Sequence, residues 1–101
     1  MTLTILESEN NTLTGVFSGR LDTAAAIQIA NEIQPLLDHA DRNIILDCNN
    51  LEFISSSGLR LLLTLHKAAK TKGGTITLKG VSENVMEVLN ITKFSTLFQF
   101  A

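Results

Sequence analysis

A chain of 101 residues is long enough for one hydrophobic core, and we expect a single domain over residues 1–101. Hydrophobic residues make up 45% of the chain and charged residues 18%, which indicates a folded globular protein rather than a disordered one. The formal net charge is −2 and the chain has no Trp or Tyr, so a nucleic-acid partner is not expected.

Nothing in the sequence points to a membrane or to secretion. No apolar run approaches the roughly 20 residues that a transmembrane helix needs. Met1 leads directly into Thr2-Leu3-Thr4, without the basic start and the apolar block of a secretory signal. The single Cys48 cannot form an internal disulfide, which is typical of a reducing compartment. We therefore expect a cytoplasmic protein that does not insert into a membrane.

The first two elements are predicted to be the strands of a β-hairpin. Residues 2–8 and 12–18 alternate between polar and apolar side chains, as half-buried strands do. Asn10-Asn11 lies between them and suits the tip of the hairpin. Gly19 is expected to end the second strand.

A helix is predicted next, because Ala24-Ala25-Ala26 is followed by apolar residues at helical spacing. Asp22 or Thr23 can cap it, since a short side-chain oxygen accepts a free backbone N–H. Pro35 lacks a backbone donor and crowds the carbonyl four residues earlier. We expect a kink or a restart near Pro35, and an end of the helix between residues 39 and 41.

The centre of the chain combines a buried strand with a serine-rich helix start. Residues 43–47 are almost wholly apolar, as in a strand that is covered on both faces. Residues 48–56 are predicted to form a loop. Ser56 or Ser57 then caps a leucine-rich helix, which Gly73-Gly74 ends.

The remaining sequence predicts a strand, a short helix and a last strand. Residues 75–80 alternate as a strand does, Ser82 caps the short helix, and residues 97–100 form the last strand. The order ββαβαβαβ favours parallel pairing through right-handed crossovers. We therefore predict an α/β fold with a four- to five-stranded mixed β-sheet and three α-helices packed mainly on one face.

The candidate chemistry lies in the serine cluster, and two interpretations of it are open. Ser57 either only caps the helix or is a phosphorylation site, because the free N–H groups of a helix start suit a phosphate. Catalysis is disfavoured, since His66 lies roughly 13 Å along the helix from Ser57 at a rise of about 1.5 Å per residue. The Gly-x-Ser-x-Gly elbow is also absent. We expect no enzyme activity, no metal and no cofactor.

Four motifs, in this order, resemble those of the STAS domain, a family named after sulphate transporters and anti-sigma-factor antagonists. They are Gly19-Arg20-Leu21-Asp22-Thr23, Ile45-Leu46-Asp47, Phe53-Ile54-Ser55-Ser56-Ser57-Gly58-Leu59 and Gly74-Thr75-Ile76-Thr77-Leu78. The resemblance covers nearly the whole chain, and the ordered set is more specific than any single motif.

The bacterial antagonists of this family typically carry Asp-Ser-Ser-Gly or Asp-Ser-Thr-Gly before the second helix. The resemblance implies that Ser57, with Ser56 as the alternative, is phosphorylated by an anti-sigma factor that is also a serine kinase. Unphosphorylated antagonist binds this anti-sigma factor and so releases the sigma factor, and a cognate serine phosphatase removes the phosphate. Ser55 stands where the family usually has Asp, so one negative charge beside the site is missing.

The resemblance also implies a docking surface formed by the first loop and the start of the second helix. Its predicted residues are Asp22, Thr23, Ser55, Ser56, Ser57, Gly58, Leu59 and Arg60. Two alternatives share the fold: a small STAS subunit of a membrane lipid-transport ATPase complex, and a phosphorylation-independent scaffold for protein interactions. The sequence leaves the identity of the partner and the oligomeric state open.

Overall fold

Strands and helices alternate along the chain in the computed structural model, which describes residues 1–101. The strands are β1 Thr2–Ser8, β2 Thr12–Leu21, β3 Asn43–Ile54, β4 Thr75–Lys79 and β5 Gln99–Phe100. The helices are α1 Thr23–Glu32, α2 Gln34–Asp38, α3 Ser56–Lys72 and α4 Glu83–Ile91, followed by a short 3-10 turn, Phe94–Thr96.

The five strands form one mixed sheet in the spatial order β1-β2-β3-β4-β5. Strands β1 and β2 are antiparallel and form the predicted hairpin. Asn10 and Asn11 at its tip have φ values of 60° and 57°, a left-handed conformation that Asn tolerates better than most residues. The other three pairs, β2–β3, β3–β4 and β4–β5, are parallel. The predicted α/β fold with a mixed sheet is confirmed.

The helix predicted before β3 is in fact two helices, so the structure has four α-helices rather than the predicted three. The break falls at Ile33, which is the C-terminal cap residue of α1 and also the residue directly before α2. Pro35 lies in the first turn of α2, where its missing N–H costs no hydrogen bond. The predicted restart near Pro35 is therefore confirmed, and its cause is the proline.

The predicted loop over residues 48–56 is wrong for most of its length, because β3 continues to Ile54. Strand β2 likewise continues past Gly19, and its last two residues pair with the end of β3, Arg20 with Phe53 and Leu21 with Ile54. Two register shifts, each with one extra residue in β3, keep the strands paired through this polar part of the sequence. The site therefore stands on a longer and more rigid base than a loop would provide.

The helices cover mainly one face of the sheet, as predicted. Side chains on that face are buried and belong to one hydrophobic cluster that also includes helix residues such as Ile29, Leu62 and Leu89. On the opposite face, Thr14 and Ile45 are only half-buried. No helix combines the length and the apolar character that crossing a bilayer would require.

The chain makes a close backbone crossing where α3 gives way to β4. The N–H groups of Gly73 and Gly74 both donate to the Ala69 carbonyl, at 2.8 and 2.9 Å, and end the helix as predicted. Thr75 N then donates to the Arg42 carbonyl at 3.2 Å. Gly74 lies so near the segment that enters β3 that a side chain there would overlap the Ala40 carbonyl oxygen. The connection from α3 to β4 and the connection from α2 to β3 are therefore in contact at Gly74.

Candidate functional site

Strands β2 and β3 end side by side, and each leads directly into a helix. Leu21 and Ile54 are register partners, α1 begins at Thr23 and α3 begins at Ser56. A hydrogen bond of 2.9 Å from Ser55 N to the Leu21 carbonyl ties the two strand ends together. Parallel pairing therefore brings two helix N-termini to one edge of the sheet. This edge also carries the residues predicted to form the site.

Each helix start is capped by the residue just before it. Asp22 Oδ1 accepts a 2.9 Å hydrogen bond from Ala25 N, so the predicted Asp22 cap is confirmed. Ser55 Oγ accepts from Gly58 N at 3.2 Å, whereas the sequence predicted a cap at Ser56 or Ser57. That prediction is wrong because Ser55, with φ −92° and ψ 173°, is the last extended residue, and a capping side chain must come from that position.

Ser57 is consequently free of the capping role. It is the second residue of α3, its side chain is half-buried, and its hydroxyl makes no hydrogen bond within the protein. The backbone N–H groups of Ser56 and Ser57 also have no intrahelical acceptor, as at any helix start. A hydroxyl beside unpaired donors has the electrostatic surroundings that suit a phosphate.

Ser55 replaces the usual Asp without changing the geometry of the helix start. Ser and Asp are about equally good capping residues, because each has a short side chain whose oxygen reaches a free backbone N–H in the first turn of the helix. The substitution therefore retains the hydrogen bond to Gly58 N and removes only a negative charge. The start of α3 therefore remains capped although the acidic side chain usual at position 55 is absent.

Removing the cap gives a direct test of this assignment. Ser55→Ala is expected to lower the free energy of unfolding by about 1 kcal/mol, since Gly58 N loses its acceptor. Ser55→Asp is expected to keep the wild-type free energy of unfolding or to raise it slightly, because a carboxylate also interacts favourably with the positive end of the helix dipole. Urea unfolding followed by circular dichroism measures both. Ser56→Ala is the matched control, and an equal loss there would contradict the capping role of Ser55.

Gly58 allows α3 to start directly on the strand ends. A Cβ at this position would lie 2.8 Å from both Ile54 Cγ1 and Leu21 Cγ, closer than side chains pack. The next residue, Leu59, is 7% exposed and belongs to the core. Gly58 and Leu59 were predicted to be docking residues, and both are buried in the structure.

The other predicted docking residues are accessible at the edge. Thr23, Ser56 and Arg60 are exposed, and Asp22, Ser55 and Ser57 are half-buried.

Arg20 and Phe53 form a further feature of this edge that sequence reasoning missed. The Arg20 guanidinium carbon lies 4.4 Å from the centroid of the Phe53 ring, within cation–π range. The contact depends on β2 and β3 being paired as far as their last residues. Because residues 48–56 were predicted to form a loop, no strand pairing of Arg20 with Phe53 was expected from the sequence.

The remaining reactive side chains lie elsewhere. Cys48 is 3% exposed, and burial raises the pKa of its thiol to about 12. Its thiol is therefore protonated at neutral pH. His66 packs edge-on against Phe98, with ring centroids 5.8 Å apart, and His39 is exposed at the end of α2.

The fold and this arrangement of strand ends and helix starts agree with one family. The STAS domain profile matches residues 5–101, and the chain belongs to the STAS domain family. BtrV of Bordetella bronchiseptica, named as an anti-sigma factor antagonist, is 32% identical over 89 residues, which cover 88% of this chain and 77% of BtrV.

Solved structures of similar proteins show the same fold. Bacillus SpoIIAA, described as an anti-sigma factor antagonist, matches in its unphosphorylated form with a TM-score of 0.75 at 22% identity, covering 99% of this chain and 87% of SpoIIAA. Its phosphorylated form matches with a TM-score of 0.74 at 22% identity, covering 99% and 91%. A Thermotoga maritima protein matches with a TM-score of 0.86 at 18% identity, covering 97% and 84%.

Proposed function

We propose that this STAS protein is an anti-sigma factor antagonist whose activity is switched by phosphorylation of Ser57. Unphosphorylated protein binds an anti-sigma factor of the serine kinase type, and phosphorylation of Ser57 releases it. The observation that carries the proposal is the unused hydroxyl of Ser57, which is free because Ser55 caps α3. The name of BtrV and the two phosphorylation forms of SpoIIAA support the same function.

The physics of the site supports a switch that changes charge more than shape. A phosphoserine adds about −1.5 to −2 charges near neutral pH. The helix start at Ser57 tolerates this charge because its N–H groups point toward it. The half-buried Asp22 lies at the same edge and is also acidic. Phosphorylation would therefore leave the fold intact and make the docking surface more negative.

The proposed partners are the anti-sigma factor kinase and a cognate serine phosphatase, and the proposed compartment is the cytoplasm. In this proposal the protein is a regulator and not an enzyme, and Ser56 is the alternative acceptor. The other candidate, a subunit of a lipid-transport ATPase complex, has no comparable support among the relatives described above.

The test begins with a pull-down by unphosphorylated protein from its native cell extract, with capture of an anti-sigma factor as the expected result. The purified partner is then incubated with the protein and ATP, and mass spectrometry locates the phosphate. Wild type and Ser56→Ala are expected to carry one phosphate on Ser57, and Ser57→Ala none. Capture of a transport ATPase, without phosphate on any serine, would overturn the proposal.

A further inference from the structure

The Arg20 side chain is held in place without using its hydrogen-bonding groups. Its guanidinium stacks over Phe53, and the neighbouring pair, Leu21 and Ile54, points into the core. Because side chains alternate along a strand, Arg20 and Phe53 lie on the sheet face that the helices leave uncovered. Stacking uses the face of the guanidinium and leaves its N–H donors at the rim.

No group of this protein occupies those donors. The structure's single salt bridge joins Arg42 to Glu7, and Arg20 makes no side-chain hydrogen bond. Arg20 also lines a shallow groove of about 480 Å³ together with Asp22 and Gln28. An exposed and unpaired guanidinium, in contact with the Phe53 ring, thus lies beside the capping residue of α1, at the edge that carries Ser57.

We propose that the Arg20–Phe53 pair is a docking element for a carboxylate, an Asp or Glu side chain of the protein partner. This inference rests on the proposed function and adds the chemistry by which the partner is recognised. A guanidinium binds a carboxylate through two parallel N–H···O bonds, and prior stacking lowers the entropy cost of that geometry. An unpaired guanidinium at the docking edge also attracts an acidic group of the partner electrostatically.

The same pair explains how a phosphate at Ser57 would act on binding. A partner that presents a carboxylate to Arg20 brings a negative charge to the edge where the phosphate is placed. The two negative charges repel. Phosphorylation would then release the partner through charge repulsion, with no change in the fold.

The test measures the affinity of the purified anti-sigma partner, identified by the pull-down above, for variants of this protein. Arg20→Gln is expected to weaken binding by about tenfold, and Phe53→Leu by about threefold because the guanidinium loses its support. Lys70→Gln, which removes an exposed positive charge from the far part of α3, is the matched control and is expected to bind as wild type. Thermal unfolding checks that each variant is folded.

A double variant and a salt series sharpen the result. If Phe53 acts only by holding Arg20, the variant with both substitutions is expected to bind no more weakly than Arg20→Gln alone. The affinity of Arg20→Gln is also expected to depend less on salt than that of wild type. Binding of Arg20→Gln within twofold of wild type overturns the inference. If Arg20→Gln binds normally but Ser57→Asp still abolishes binding, the proposed function stands without the docking inference. If wild-type protein binds no anti-sigma factor, the docking inference and the proposed function are both overturned.

Discussion

Ser57→Asp is expected to weaken binding of the anti-sigma partner by at least about tenfold. The reason is that a negative charge in the docking surface repels a partner whose surface is complementary to the neutral Ser57 side chain. The half-buried hydroxyl of Ser57 has no hydrogen bond to lose, so the substitution changes charge without breaking a contact of the free protein. A carboxylate in the first turn of α3 also interacts favourably with the helix dipole. Affinity should therefore fall while the unfolding temperature stays the same or rises.

Ser57→Asn separates charge from size, because its side chain has nearly the shape of Asp and carries no charge. Isothermal titration calorimetry with wild type and both variants is expected to place the Asn variant close to wild type. Equal losses for Asn and Asp would mean that steric fit, and not charge, controls binding. Wild-type affinity in the Asp variant would contradict the phosphorylation switch at Ser57.

Gly74→Ala is expected to lower the free energy of unfolding by about 3 kcal/mol or more, the upper range for added volume in a packed site. The new methyl group would overlap the Ala40 carbonyl oxygen and lie 2.5 Å from that of Arg42. Both obstacles are backbone atoms, which cannot move aside by changing a rotamer. A domain of this size has only about 5–15 kcal/mol of stability in total, so the variant should unfold at a much lower urea concentration.

Gly73→Ala is the matched control one residue earlier. No atom lies within 4 Å of the position of its Cβ, but its φ of +87° is left-handed. Its expected cost is about 1–2 kcal/mol, from backbone conformation alone. If Gly73→Ala destabilised the protein as much as Gly74→Ala, the close backbone crossing would not be the reason for the glycine.

Local patterns in the sequence predicted the elements whose conformation depends on near neighbours. Alternation located β1 and β4, Gly73 marked the end of α3, and Pro35 marked the restart of the first helical segment. The extension of β3 depends instead on pairing with β2. Asn49 and Asn50 are typical turn residues, so the sequence alone favoured a loop there.

The position of the candidate site was predictable, but the roles of its residues were not. Three consecutive serines have the same capping chemistry, and only the point where the backbone becomes helical distinguishes them. At that point Ser55 N donates to the Leu21 carbonyl, a contact between residues far apart in sequence that no local pattern predicts. The Arg20–Phe53 stack depends on the same pairing of strand ends.

The sheet order β1-β2-β3-β4-β5 has a consequence for how the protein is made. Every strand lies next to the one synthesised just before it, so the sheet can grow in the direction of translation, by adding each new strand to an existing edge. Strand β4 is the open edge until residues 99–101 are in place, when Ala101 N donates to the Leu78 carbonyl at 3.0 Å. In the nascent chain, β4 is therefore a second open edge beside β1, and it can pair with other chains until β5 covers it.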